Sequence, residues 1–264
     1  MAKKKSGPHV LFLDIETAPI LGYVWSLWQQ NVALNQIKQD WFMLSWAAKW
    51  LGDTKVLYKD QRQARNIEND KKLIEPLWKL LNECDILVTQ NGKAFDAKKI
   101  NARFILNGMK PPSSYKHIDT KILAKRHFAF TSNRLEYMTD KLCTKYKKLK
   151  HKEFPGFELW SECLAKNPKA WNEMEKYNKH DVLALEELYL KLSPWDTSVN
   201  FNVYHDREDF VCQCGHPTFM RNGYAYSTAG KFQRLKCKQC GAEYRSKMNM
   251  HPKTKRDSLL VSVK

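Results

Sequence analysis

Val10-Leu11-Phe12-Leu13-Asp14-Ile15-Glu16-Thr17 is an apolar run that carries two acids two residues apart. In an extended strand, residues i and i+2 point to the same face. Asp14 and Glu16 therefore project side by side from a strand whose other residues call for burial. Unpaired charge in such a place is costly, so it is normally neutralised or given a cation. The pair reads as half of a metal site or, alternatively, as a strand end whose acids reach solvent or a lysine.

Two more acids lie far along the chain in settings of the same kind. Ile86–Thr89 is a short apolar strand that runs through Gln90-Asn91-Gly92 toward Asp96, at the mouth of a helix over 97–106. By itself, an Asp there reads as a helix N-cap. Asp181 falls in the helical stretch Glu175–Leu185, four residues after Tyr177 and on the same face. Alone, those two read as a surface tyrosine–carboxylate pair.

Taken in order, the pieces resemble the DEDD superfamily of 3′→5′ exonucleases in its tyrosine branch, DEDDy. Asp14-Ile15-Glu16 matches the first motif, Asn91 through Phe95-Asp96 the second, and Tyr177 through Asp181 the third. The resemblance covers roughly residues 9–192. Phe157-Glu158-Leu159-Trp160 and the route into Tyr177 are similar to the small YprB-type ribonuclease H-like domains of bacteria and phages. The histidine branch needs His five residues before the last Asp, where this chain has Lys176.

The resemblance implies an α/β fold, a ribonuclease H-like mixed sheet flanked by helices. It also implies two Mg2+ or Mn2+ ions and hydrolysis of a phosphodiester at a 3′ end. Asp14 would bridge both ions, with Glu16 and Asp181 on the ion of the attacking water and Asp96 reaching the other through water. Asn91 and Phe95 would lie beside the substrate. Tyr177 would orient the attacking water, since a phenol with a pKa near 10 is a poor base at neutral pH. Oxygen-only ligation suits these hard cations.

Composition agrees with a nucleic-acid partner. The 264 residues hold 45 Lys and Arg against 28 Asp and Glu, a formal net charge of +17. Such a surplus favours phosphate backbones, solubility or an acidic protein partner. At 43% hydrophobic the chain can bury a sizeable core, enough for one large domain and a small appendage. No stretch approaches the roughly 18–20 apolar residues of a membrane span. The basic start, Met1–Pro8, lacks the form of a secretory signal. The expectation is a cytoplasmic protein, not secreted, with its seven cysteines outside a disulfide framework.

Periodicity fills in the remaining elements. Met43–Trp50 reads as a second strand and Lys55–Tyr58 as a third, with a turn at Gly52-Asp53. Residues 69–83 read as an amphipathic helix with Leu73, Leu77, Leu80 and Leu81 on one face. The tryptophans at 25, 28, 41, 46 and 50 suit core or sheet-face positions, or platforms on which bases stack. Asp119, in His117–Leu123, reads as a supporting carboxylate. Arg134–Met138 opens a helix that leads into a basic run from Lys141 to Lys152 around Tyr146. Within that run Lys145, Lys147 and Lys148 are candidate nucleic-acid contacts, the alternative being a solvated loop.

A second metal site is legible at the C-terminus. Cys212-Gln213-Cys214-Gly215 and Cys237-Lys238-Gln239-Cys240-Gly241 read as the two knuckles of a zinc ribbon, with one structural Zn2+ held by Cys212, Cys214, Cys237 and Cys240. The first pair has one residue between its cysteines where two are usual, and His216 is an alternative ligand. Gly230–Cys237 resembles the ribbons of transposase-type DNA-binding proteins. Residues 201–264 carry twelve Lys and Arg against five Asp and Glu, interleaved with Tyr224, Tyr226, Phe232 and Tyr244. That mixture suits single strands, although ribbons also dock proteins. Cys84, Cys143 and Cys163 read as small buried residues. The expected organisation is a basic tail over 1–8, a nuclease domain over 9–195, a zinc ribbon over 196–248 and a flexible basic tail over 249–264. The polar and basic residues after Arg245 read as a flexible tail that need not fold.

Two functional classes follow. One is a 3′→5′ exonuclease that uses the ribbon to hold nucleic acid, DNA with a single-stranded 3′ end before RNA, or a structure-specific endonuclease on the same fold. The other is a replication or repair adaptor that binds nucleic acid through an inactive nuclease fold.

Overall fold

Strand β1 (Val10–Thr17) is the middle strand of a five-stranded sheet. The computed structural model describes residues 7–147, 153–206 and 208–263. Two short strands, β2 (Leu21–Gly22) and β3 (Ile37–Gln39), pair with each other outside that sheet. The chain returns as β4 (Met43–Trp50) and β5 (Leu57–Asp60), each antiparallel to the strand before it in the sheet. Helix α1 (Lys71–Glu83) leads to β6 (Ile86–Thr89), which is parallel to β1. Helix α2 (Asp96–Leu106) leads to β7 (Lys116–Asp119), parallel to β6. The order β5-β4-β1-β6-β7 is a mixed sheet of ribonuclease H-like type. Helices α3 (Thr120–His127), α4 (Leu135–Leu142), α5 (Glu158–Leu164) and α6 (Pro168–Leu192) complete this part.

Alternation along β1 sends its two faces into different cores. Leu11, Leu13 and Ile15 pack with Leu73, Ile74, Leu77 and Leu81 of α1 and with Ile100 and Phe104 of α2. Phe12 points the other way, its ring 5.7 Å from that of Tyr189 on α6. Asp14 and Glu16 share this second face, so α6 is the helix they meet. Leu159 and Cys163 of α5 and Ala170, Trp171 and Met174 of α6 pack there with Phe42 and Leu44.

Local details depart from the simplest reading of the sequence. Helix α1 starts at Lys71 rather than 69, with the Asp70 carbonyl accepting from Leu73 N and Ile74 N while its carboxylate makes no cap bond. The carboxylate accepts instead from Met43 N (2.9 Å) and from Arg103 Nε (2.6 Å) and Nη2 (2.8 Å). Strand β5 begins two residues later than expected, where Leu57 pairs with Ala48 and Asp60 with Ser45. Of the five tryptophans, Trp46 is buried, with Nε1 donating to the Leu73 carbonyl (2.8 Å). Trp41 and Trp50 are half-buried. Trp25 and Trp28 are exposed and belong to no core.

The chain divides into two compact units, Pro8–Tyr189 and a second that begins at Leu190. The second contains an antiparallel sheet of β8 (Phe219–Ser227), β9 (Gly230–Cys237) and β10 (Glu243–Asn249), in the order β10-β9-β8. Regular structure does not end at Arg245. Strand β10 continues to Asn249 because Arg245 pairs with Arg234 and Asn249 with Phe232, and helix α7 (Lys253–Asp257) lies in the stretch expected to be flexible. Among the described residues, no helix is long and apolar enough to cross a membrane.

Candidate functional site

Asp14 is held by a side chain that the motifs do not include. Asn178, fully buried on α6, donates from Nδ2 to Asp14 Oδ2 (2.6 Å) and to the Asp14 carbonyl (3.3 Å). Ser45 Oγ on β4 donates to Asn178 Oδ1 (3.1 Å). Because the hydroxyl takes the amide oxygen, the amide NH2 is turned to the carboxylate. Glu16 Oε2 accepts from Trp160 Nε1 on α5 (3.2 Å), and the Trp160 ring stands edge-on to Tyr177 at 6.3 Å.

Tyr177 and Asp181 lie on the buried stripe of α6, at 7% and 4% exposure, not on the helix surface. Burial first, and then the charges of Asp181, Glu16 and Asp14, hold the Tyr177 phenol protonated far above its ordinary range; its hydrogen bond to Asp181 acts in the same direction. Such a hydroxyl donates and orients but does not accept a proton near neutrality. The charges of three of the four acids thus bear on one phenol.

Asp96 is the first residue of α2, and the N-cap position belongs to Phe95. Its Oδ1 accepts from Ile15 N (3.3 Å), the strand amide between Asp14 and Glu16. Burial pushes its pKa up to about 7, with the Asp119 charge adding to the effect. A carboxyl that binds a proton so readily is one that a cation would stabilise in its charged form.

The turn before α2 is built on Asp119. Its carboxylate accepts from Asn91 N (3.0 Å) and Lys93 N (3.1 Å), and it caps α3 through Lys121 N (3.0 Å) and Ile122 N. Asn91 sits at φ +65°, and its Oδ1 accepts from Lys121 Nζ (3.0 Å). Gly92 follows because a Cβ there would lie 2.2 Å from Thr89 Oγ1. Phe95 is exposed, with Lys99 Nζ 5.8 Å from its ring centroid.

The basic run is tied to α6 at its start. Glu187 accepts from Thr144 N (2.8 Å), Lys145 N (3.2 Å) and Tyr146 N (2.8 Å), and the Lys147 carbonyl meets His180 Nε2, next to Asp181. The Lys145 ammonium lies 5.0 Å from the Tyr146 ring, while Lys147 pairs with Asp140 (3.2 Å). Lys148 lies outside the described residues.

In the other unit, Cys212, Cys214, Cys237 and Cys240 bring their Sγ atoms within 4.8 Å of one another. Cys212 and Cys240 are 3.4 Å apart and Cys214 and Cys237 are 3.7 Å apart. Each knuckle turns through a glycine at positive φ, Gly215 at +85° and Gly241 at +78°, whose amide donates to the carbonyl of the first cysteine (2.8 and 3.1 Å). Burial opposes charge on Cys237, but backbone amides of Cys240 and Gln239 and the thiols of Cys212 and Cys214 outweigh it and lower its pKa to about 7. Burial raises Cys214 and Cys240. Four crowded thiols cannot all ionise without a cation, and a soft tetrahedral donor set of this kind suits structural zinc. His216 contributes its carbonyl to Cys212 N (3.0 Å) and is not among the four clustered ligands.

Sequence reasoning missed Asn178 and Trp160 as partners of the acids. The signal for Asn178 was a residue of modest helix propensity beside Tyr177, inside a 25-residue helix. Trp160 lay in a stretch already singled out, but its link to Glu16 carried no local signal, since the bond spans 144 positions.

A family model described as RNase H superfamily matches residues 11–193. Among solved structures, the family B DNA polymerase from the hyperthermophilic archaeon Pyrobaculum calidifontis is similar, with a TM-score of 0.53 and 15% identity over 71% of this chain and 25% of the polymerase. The chain spans about a quarter of that protein, and at this identity the likeness is one of fold. No curated protein matches the sequence.

Proposed function

The chain belongs to the RNase H superfamily, and from that membership we propose that it is a metal-dependent 3′→5′ exonuclease of the DEDDy type. The fold implies a nucleic-acid substrate in general, and DNA with a single-stranded 3′ end is the first candidate. One observation carries the reading: the charges of Asp14, Glu16 and Asp181 bear on a buried tyrosine that bonds Asp181, while Asp96 binds the amide between the first two acids. A donor set made of carboxylates fits Mg2+ or Mn2+, and Asp14, Glu16, Asp96 and Asp181 would hold two such ions. When bound, those ions supply an activated water and neutralise charge on the phosphodiester under attack.

The chain's own residues do the rest. Asn178 fixes the Asp14 carboxylate and Trp160 fixes Glu16, so neither acid needs to reorganise when substrate arrives. Tyr177 keeps its proton, which it donates to Asp181, so its hydroxyl oxygen would orient the attacking water by accepting from it. Phe95, exposed at the head of α2, offers a ring face to a terminal base. Lys145 and Lys147 at the start of the basic run would meet the backbone phosphates, and the zinc ribbon over 196–248 would add affinity for the strand.

The test is an assay of end-labelled single- and double-stranded DNA and RNA with Mg2+, Mn2+ or EDTA, the products sized on a gel. Single-nucleotide shortening from the 3′ end, lost in EDTA and in Asp14→Ala, is the expected result. Unchanged degradation by Asp14→Ala would sink the assignment. Tight binding without hydrolysis under every condition would favour an adaptor built on an inactive fold.

A further inference from the structure

The chain leaves the acid-bearing strand at Thr17 and re-enters the sheet at Phe42, and Ala18 N donates to the Phe42 carbonyl (2.8 Å) to close the neck of the excursion. Beyond the neck, β2 and β3 make a narrow ribbon. Its tip is ordered by its own amides. Tyr23 N donates to the Gln36 carbonyl (2.9 Å), Gln36 Nε2 donates to the Tyr23 carbonyl (2.9 Å), and Ala33 N donates to Gln36 Oε1 (2.8 Å). Gln30 Nε2 bonds the Trp28 carbonyl (2.9 Å) and Ser26 Oγ (2.6 Å).

The tip therefore spends polar side chains on its own backbone and turns its rings outward. Trp25 is 95% exposed, Trp28 82% and Leu27 87%, with Tyr23 also open to solvent. Isolated exposed apolar residues need no explanation, but an ordered cluster led by two indoles marks a contact surface.

The chemistry of the ribbon selects among partners. Residues 17–39 contain no Asp or Glu, although the chain has 28, and Lys38 is their single charge. A phosphate-bearing strand meets no repulsion there and is drawn by the net charge of +17. Indole faces stack on any base, and the interleaved amides of Gln29, Asn31 and Asn35 can bond base edges. The neck begins two residues after Glu16, so the ribbon springs from the acid-bearing end of β1.

We propose that the Tyr23–Gln36 tip is a stacking platform for a single-stranded segment of nucleic acid, with Trp25 and Trp28 each holding a base of the strand whose end enters the acid site. The strand's identity as substrate rests on the exonuclease reading; the stacking itself does not.

Full-length protein in EDTA is titrated with a fluorescein-labelled single-stranded oligodeoxynucleotide of about fifteen residues, read by anisotropy. Trp25→Ala/Trp28→Ala should weaken binding at least about tenfold, as expected when two bases lose their stacking partners, and raise KM for hydrolysis by a similar factor. Trp25→Phe/Trp28→Phe should recover most of the affinity. Thermal melting should not change, because both indoles are exposed. Equal affinity of the alanine variant and wild type would overturn the platform, even if Asp14→Ala abolishes hydrolysis. Conversely, a wild-type protein without hydrolytic activity still reports stacking through the EDTA titration. A dimeric wild type and monomeric alanine variant with equal oligonucleotide affinity would assign the ribbon to self-association and reject the proposal.

Discussion

Asn178 shows how much of a site can rest on one residue outside its motifs. It joins β4, β1 and α6, accepting from Ser45 Oγ and donating to Asp14 Oδ2. Asn178→Ala should weaken the metal dependence of hydrolysis about 10–100-fold, the usual cost of losing a partner that orients a ligand. A rate titration with Mg2+ measures it; an unchanged midpoint would leave Asn178 a purely structural residue. Asp96 adds a pH effect whose sign is fixed by burial. Its pKa of about 7 lies above the ordinary 3.8, so the native state holds a proton that the unfolded chain has released. In metal-free protein its contribution to stability is full below about pH 4 and is lost as pH rises to about 7. A divalent cation competes with that proton. Mn2+ should therefore raise Tm more at pH 8 than at pH 5.5, and Asp96→Asn should flatten the difference. A pH-independent Mn2+ shift in wild type would exclude Asp96 from the metal site. The acids themselves were legible because each sits in a short motif of its own, whereas Asn178 and Trp160 were not, because only their distant partners mark them.

Elements were legible where one period dominates. The alternation of β1 and the 3.6-residue stripe of α6 both survive in the structure, as Trp171, Met174, Tyr177, Asp181, Leu185 and Leu188 are buried. Element ends were less legible because tertiary partners set them, as Asp70 shows. Its carboxylate is fully buried and answered by a bidentate Arg103 from α2, by Met43 N from β4 and by Asn107 Nδ2 (3.2 Å). Arg103→Ala leaves that charge buried without its cation and should cost about 3–5 kcal/mol, read as a lower denaturant midpoint at unchanged slope. Lysine at 103 should recover little, since a point charge cannot make the two-pronged bond. A loss below about 1 kcal/mol would mean that the pair contributes no more than an exposed ion pair does.

At the scale of the whole molecule, one compact unit carries the carboxylates proposed to take hard cations and the other the four clustered cysteines. Around its cysteines the second unit has a small core in which Cys212, Cys237 and Ala242 are buried, so zinc would supply much of the folding energy there. Purified protein should hold about one zinc per chain by elemental analysis, and Cys237→Ser should lose it. Chelation should expose the segment between Val211 and Asn249 to limited proteolysis, and an equally resistant chelated protein would refute a structural metal. Loss of zinc should also weaken strand affinity more than it slows turnover at saturation. Which residues alternate, which share a helical face and where thiols pair around glycine were readable before any fold, because they depend on neighbours within a few positions; the basic charge was readable from composition alone. Only the tertiary structure decided that α6 covers the acid face of β1, that Asn178 and Trp160 hold two of the acids, and that Trp25 and Trp28 stand in solvent while Trp46 is buried. Burial is decided by what another part of the chain brings to cover a residue, and the residue's own pattern cannot carry that information.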